Sequence, residues 1–203
     1  MKITEHSFSL TSAILMMAGV ICLDSCASPS PVPAHVQLPQ QAAPLKVDGV
    51  KNLHRVSSQL YRSGQPSPAA FGELERMGVR SVLNLRDYYV DTDEANLTGL
   101  HLVGYPMSAG SVTERDVENC LRLIRLSPKP LLVHCWHGSD RTGIIVAAYR
   151  IVFQGWSVEQ AEKEMRVDTY GYHDALYRNL VELLRTTDWQ AMRQRLEQYP
   201  EVL

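Results

Sequence analysis

Apolar residues along this chain switch between two periods, and the switches mark out alternating strands and helices. Short β-type runs fall at 59–62, 81–85 and 101–105, and a fourth, Pro130-Leu131-Leu132-Val133, is apolar throughout. Between them a helix is expected at 68–77, stopped by Gly78. Thr113-x-x-Asp116 opens another that runs to about residue 126 and ends before Pro128. A largely buried helix from Thr142 carries Ile144, Ile145, Val146, Ile151 and Val152, and Ser157-x-x-Gln160 caps one that continues to about Arg166. Two C-terminal helices are expected at 174–184 and 188–198. The pattern predicts a compact α/β domain, a short central sheet flanked by helices.

The N-terminal part follows neither period. Lys2 precedes an apolar stretch at 10–23, too short to span a bilayer but suited to the core of a signal peptide. Leu23-Asp24-Ser25-Cys26 is similar to a bacterial lipobox, whose cysteine becomes the lipidated first residue of the mature chain. Asp24 is unusual in such a box, so cleavage after Ala27 and an uncleaved anchor are the alternatives. From 27 to 44 the chain holds Pro29, Pro31, Pro33, Pro39 and Pro44 among Ser, Ala and Gln, a composition that favours extended conformers. The expected organisation is an export and lipoprotein segment at 1–26, a proline-rich tether at 27–46 and a catalytic domain at 47–203. Such a protein works outside the cytoplasm, on the periplasmic side, held to a membrane by its N-terminus.

The 203 residues, 45% of them hydrophobic and 21% charged, suffice for one globular domain after the N-terminal segments. A net charge of −2 and the lack of any Lys/Arg cluster argue against a nucleic-acid partner. Of the four cysteines, only Cys120 and Cys135 lie beyond the export region. Cys120 shares a helical stripe with Val117, Leu121 and Ile124, which makes it a small core residue. A redox pairing of Cys120 with Cys135 is the lesser reading, and it would silence any chemistry at Cys135.

The chemistry concentrates at His134-Cys135-Trp136-His137-Gly138-Ser139-Asp140-Arg141-Thr142-Gly143, where a strand gives way to a helix. A helix N-terminus presents unpaired N–H groups and the positive end of the helix dipole, so an oxyanion is stabilised there by backbone alone. Gly138 and Gly143 allow the backbone to curl closely round a ligand, and Arg141 adds a planar fork that fits two phosphate oxygens. A thiol at the base of such a cup ionises more readily than a free one and attacks phosphorus. The Thr142 hydroxyl is expected to donate to the sulfur and help expel it. His134 either holds the loop through a ring hydrogen bond or adds positive potential, and Trp136 and His137, with Gly138 and Ser139, form walls that touch substrate. A zinc site built from His134, Cys135 and His137 lacks the further ligands it needs, so no metal or other cofactor is implied.

His134-Cys135, Arg141 six positions after the cysteine, and Thr142-Gly143 resemble the His-Cys-x-x-Gly-x-x-Arg-Ser/Thr-Gly signature of protein tyrosine and dual-specificity phosphatases. The likeness extends from about 60 to 165, including Leu60-Tyr61-Arg62-Ser63-Gly64-Gln65-Pro66 and Val82-Leu83-Asn84-Leu85-Arg86, and is similar to compact bacterial enzymes of this kind, exported tyrosine phosphatases among them. The resemblance implies metal-independent phosphomonoester hydrolysis through a phosphocysteine, on phosphotyrosine and also phosphoserine or phosphothreonine of proteins. Rhodanese-like sulfurtransferases also use a cysteine loop, but without the Arg-Thr-Gly.

One part of the family pattern is missing. These phosphatases carry an aspartate on a loop 25 to 35 residues before the cysteine to protonate the leaving oxygen, and here that stretch, Tyr105-Pro106-Met107-Ser108-Ala109-Gly110-Ser111-Val112, has no acid. Glu114 and Asp116 serve the start of the next helix. Asp140, next to Arg141, is the candidate acid, because a phosphate dianion beside it favours its protonated form; some phosphoinositide phosphatases resemble this arrangement. Its other reading is a helix cap. Arg62 and Arg86 read as surface ion pairs rather than pocket residues, Asp87 as a residue that orients a neighbouring loop, and His173 as packing or capping. An inositol phosphate phosphatase is the alternative substrate reading, weakened by the lack of lysine in the loop, and a phosphate-binding pseudophosphatase is the alternative to catalysis.

Overall fold

The structure, a computed structural model, describes residues 40–88 and 90–200. The export segment, the lipobox cysteine and most of the proline-rich tether lie outside the described residues.

The strands come in chain order as β1 (Ala43–Pro44), β2 (His54–Arg55), β3 (Leu60–Ser63), β4 (Ser81–Asn84), β5 (His101–Gly104) and β6 (Leu131–His134). They form one sheet in the order β1-β2-β3-β6-β4-β5. β1, β2 and β3 pair antiparallel, whereas β3, β6, β4 and β5 run parallel. The nucleophile strand β6 is therefore central, and all four of its residues are buried, as befits a strand covered by helices on both faces. Alternation assigns Leu131 and Val133 to one core cluster and Leu132 to the other.

The larger cluster lies under α2 (Glu114–Leu126), α3 (Asp140–Gln154), α4 (Val158–Met165), α5 (Arg178–Thr186) and α6 (Trp189–Leu196). The smaller lies under α1 (Pro68–Arg76), which buries Phe71 and Leu74 against Val82 and Leu132. Both expected capping boxes form: Thr113 with Asp116 opens α2, and Ser157 with Gln160 opens α4. Twelve of the fifteen residues of α3 are buried, so it is the helix round which the others pack.

Three boundaries differ from expectation. The sheet begins before Val47, because Ala43 and Pro44 pair with Arg55 and His54 and the Ala42 N–H donates to Glu164 Oε1 at 2.8 Å. α3 begins at Asp140 rather than Thr142. The helix expected from Asp174 begins only at Arg178, the preceding stretch being turned by N–H bonds from Leu176 and Tyr177 to the His173 carbonyl.

Candidate active site

Register places Ser63, His134 and Asn84 side by side at the carboxyl ends of β3, β6 and β4, the edge of a parallel sheet where ligands bind. Cys135 follows directly, 2% exposed, at the base of a loop that closes on the N-terminus of α3. The Gly138 N–H donates to Cys135 Sγ at 3.3 Å. Gly138 holds φ +76°, and a Cβ there would meet the Ser63 carbonyl carbon and Gly64 nitrogen at 2.5 Å, so the loop conformation requires glycine.

The near side of the loop is braced from beneath. Arg62 is fully buried, donates from Nη2 to the Gly138 carbonyl at 2.7 Å, and lays its guanidinium 3.9 Å from the Tyr170 ring centroid. Burial pulls the Arg62 guanidinium below its usual pKa range. The Asn52 amide donates to the carbonyls of His137 (3.2 Å) and Tyr170 (3.0 Å), and the Gln65 N–H donates to the Trp136 carbonyl (3.1 Å).

A second chain of contacts holds the nucleophile's neighbour. His134 donates from Nε2 to Asp91 Oδ2 at 2.8 Å, both groups buried, so of its two expected roles the ring hydrogen bond is the one observed. Burial alone would raise the Asp91 pKa, but the bonds from His134 and Gln65 outweigh it and hold that carboxyl below the usual range. Gln65 donates to Asp91 at 3.0 Å and accepts from Arg86 at 2.6 Å, and Arg86 lies 4.4 Å from the Trp136 ring centroid. Arg62 and Arg86 are thus buried supports of the loop rather than surface ion pairs. Trp136 itself is 53% exposed and forms an aromatic rim. The His137 ring stands 5.8 Å from that of His173.

On the far side, Arg141 donates from Nη1 to the Met107 carbonyl (3.1 Å), the Leu85 carbonyl (3.4 Å) and the Asp87 carboxylate. The loops after β4 and β5 therefore meet at this guanidinium. Asp140 departs from the acid role expected of it: Oδ1 accepts from the His173 N–H and Oδ2 from His173 Nδ1, each at 2.9 Å. The carboxylate anchors the start of α3 to the loop before α5, and His173 is its partner. Ser139 is the N-cap residue, buried but making no side-chain cap bond.

Thr142 and Gly143 also differ from expectation, because α3 begins two residues earlier than its hydrophobic pattern suggests. Thr142 lies inside the first turn, fully buried, and its hydroxyl bonds neither the sulfur nor any other described group. The Gly143 N–H donates to the Ser139 carbonyl at 2.7 Å, and a Cβ there would press on Met165 Cγ at 3.1 Å. Gly143 thus serves helix packing.

Of the remaining acids, Asp116 closes the α2 capping box and accepts from the Tyr105 hydroxyl at 2.9 Å, while Glu114 pairs with Arg195 at 3.0 Å. Cys120 is buried in the core as expected, and burial pushes its thiol well above the ordinary pKa; Cys120 and Cys135 are both free thiols. Asn52 and Asp91 carry no sequence signal, since they reach the loop from 85 and 43 positions away along the chain, and Tyr170 acts on it only through Asn52 and Arg62. Gln65 lay within the family-like stretch without a role.

A model of the tyrosine phosphatase family matches residues 49–197. The dual specificity protein phosphatase TpbA of Pseudomonas aeruginosa strain UCBPP-PA14 is 34% identical over 151 residues, 72% of this chain and 67% of that protein. A crystal structure of P. aeruginosa TpbA, 30% identical, superposes with a TM-score of 0.68 over 78% of this chain and 98% of that one, and a second, of a variant in complex with pTyr, does so over 79% and 98%. The inositol diphosphatase DSP3 of Arabidopsis thaliana is 30% identical over 122 residues, 56% of this chain and 60% of that protein. With Cys135, Gly138 and Arg141 gathered at the end of a parallel sheet, the chain belongs to the tyrosine phosphatase family, as a cysteine-dependent phosphatase of the tyrosine/dual-specificity type.

Proposed function

We propose that the enzyme hydrolyses phosphotyrosine in proteins through a phosphocysteine on Cys135. The observation that carries this reading is the depth of the thiol beneath an aromatic rim: Cys135 is buried while Trp136, in the same loop, is half-exposed. A long flat ester reaches such a sulfur and stacks its ring at the mouth, whereas phosphoserine holds its phosphate close to its own backbone. The thiolate attacks phosphorus, helped by the N–H groups at the start of α3 and by the Arg141 fork. The complex of TpbA with pTyr supports the same substrate class.

A groove of about 940 Å³ beside Trp136 and His137 favours a second reading, an inositol phosphate, because Lys46 and Lys51 line it with Arg86. Asp48 and Glu94 line it too, which offsets the attraction for a highly charged anion. Assay of the 27–203 segment on phosphotyrosine peptides beside inositol phosphates tests the choice: a higher kcat/KM on the peptides supports the first reading, the reverse order replaces it, and binding without turnover of either makes the protein a phosphate-binding module. The location follows from Cys26 and the tether: the enzyme is exported and held at the membrane surface by a lipidated Cys26. Cys26→Ala should move it to the soluble fraction, and globomycin should accumulate its precursor; unchanged membrane partition of Cys26→Ala would replace the lipid with an uncleaved apolar anchor.

A further inference from the structure

The proton needed by the leaving oxygen lacks an assigned source, and the candidate carboxylates differ in what already occupies them. Asp140 is bound through both oxygens to His173. Asp91 is bound through both to His134 and Gln65, and these bonds hold it ionised against the effect of burial. Asp116 receives Thr113 and Tyr105, whose bonds likewise keep it below the usual carboxylate range although burial opposes them. Glu114 faces Arg195. Asp87 differs from all four. Its carboxylate rests on Nη1 of Arg141, the group that takes the phosphate, and its side chain is 32% exposed.

We infer that Asp87, on the loop after β4, is the acid and base of the reaction, replacing the aspartate absent from 105–112. This assignment rests on the phosphocysteine reading above. A phosphate entering the cup carries the oxygens that Arg141 binds bidentately, so it takes the guanidinium from Asp87 and leaves the carboxyl beside the incoming dianion. There the protonated form is favoured, since two negative charges at contact repel. Cys135 thiolate then forms the S–P bond as the P–O ester bond breaks, and Asp87 gives its proton to the departing oxygen. In the second step a water gives its proton back to the Asp87 carboxylate and forms a P–O bond. The S–P bond breaks, inorganic phosphate leaves, and the thiolate and the Asp87 acid are restored. The same loop bears Tyr88, next to Asp87 in the chain and 91% exposed.

The test compares leaving groups. A nitrophenolate departs without a proton, whereas a tyrosyl oxygen requires one. For Asp87→Asn, kcat/KM on a phosphotyrosine peptide should fall about 100-fold or more, and that on p-nitrophenyl phosphate far less. Loss of the base should also make phosphoenzyme accumulate after a burst of p-nitrophenolate, and Asp87→Glu, which keeps the proton, should restore much of the peptide activity. Asp140→Asn should lower both substrates alike. Equal losses on the two substrates for Asp87→Asn, or the selective loss appearing in Asp140→Asn instead, would overturn the assignment to Asp87. Failure to trap any phosphoenzyme, with Cys135→Ser still active, would overturn the covalent reading itself, and Asp87 with it.

Discussion

Helix α3 carries an ion-paired arginine near each end, and the two pairs are built for different work. Arg150 and Glu164 are both 2% exposed and joined by two bonds, Nη2 to Oε1 at 2.6 Å and Nε to Oε2 at 2.8 Å. The same arginine donates to the Val56 carbonyl and stacks on Trp156, and Glu164 also accepts the Ala42 N–H. Arg141 and Asp87, by contrast, are 17% and 32% exposed and meet through one nitrogen. A buried pair with every polar atom spoken for locks α3 to α4 and to the first strand, because removing either member strands the other charge without water. A partly exposed pair gives up its partner at little cost, which is what a phosphate-binding arginine needs.

Arg141→Ala should produce the largest effect. Loss of the fork removes charge stabilisation made in the transition state, and kcat/KM on any phosphomonoester should fall about 10³-fold or more, with the melting temperature nearly unchanged. Glu164→Ala should do the opposite. It leaves Arg150 buried without its anion, so stability should drop by about 3–5 kcal/mol, roughly 10 °C in Tm by calorimetry, while kcat/KM of the folded fraction stays near wild type. A severe loss of turnover in folded Glu164→Ala would break the division of labour between the two ends of α3.

Gly138→Ala tests the fixed side of the cup. Its positive φ and the 2.5 Å approach of Ser63 and Gly64 make any Cβ strain the loop, at about 1–3 kcal/mol, and activity should fall with stability. Asp91 supplies a pH signature. Its folded-state pKa is lowered, so the stability it contributes is present above its unfolded value of about 4 and is lost as pH falls through the folded value. Thermal melts from pH 6 downward should therefore show a shallower acid limb in Asp91→Asn than in wild type. The smallest effect belongs to Asp87→Asn in the same melts: a partly exposed single-bond pair is worth about 1 kcal/mol, and added salt should shrink the difference further. A loss as large as that of Glu164→Ala would make the Arg141 pair a structural lock too.

What could be read without the structure was local. The parallel strands, the two capping boxes and the Cys135-to-Arg141 spacing depend on residues a few positions apart, where side-chain period and backbone caps act directly. β1 and β2 escaped because two-residue strands carry no period. The apolar pattern of α3 starts only at Ile144, the fifth residue of the helix, which is why the sequence leaves Thr142 and Gly143 as ligand candidates.

The amino-acid sequence by itself determined the α/β alternation, the family and the nucleophile loop, since these rest on short-range spacing of chemically distinctive residues. Only the tertiary structure decided which charges are structural and which are available for chemistry. Arg62, Arg86, Arg141 and Arg150 are equivalent on paper, yet the first is buried under Gly138, the second supports Gln65, the third faces Asp87 and the fourth is locked to Glu164. Burial and partner identity set the cost of separating each pair, and both come from contacts between segments far apart along the chain.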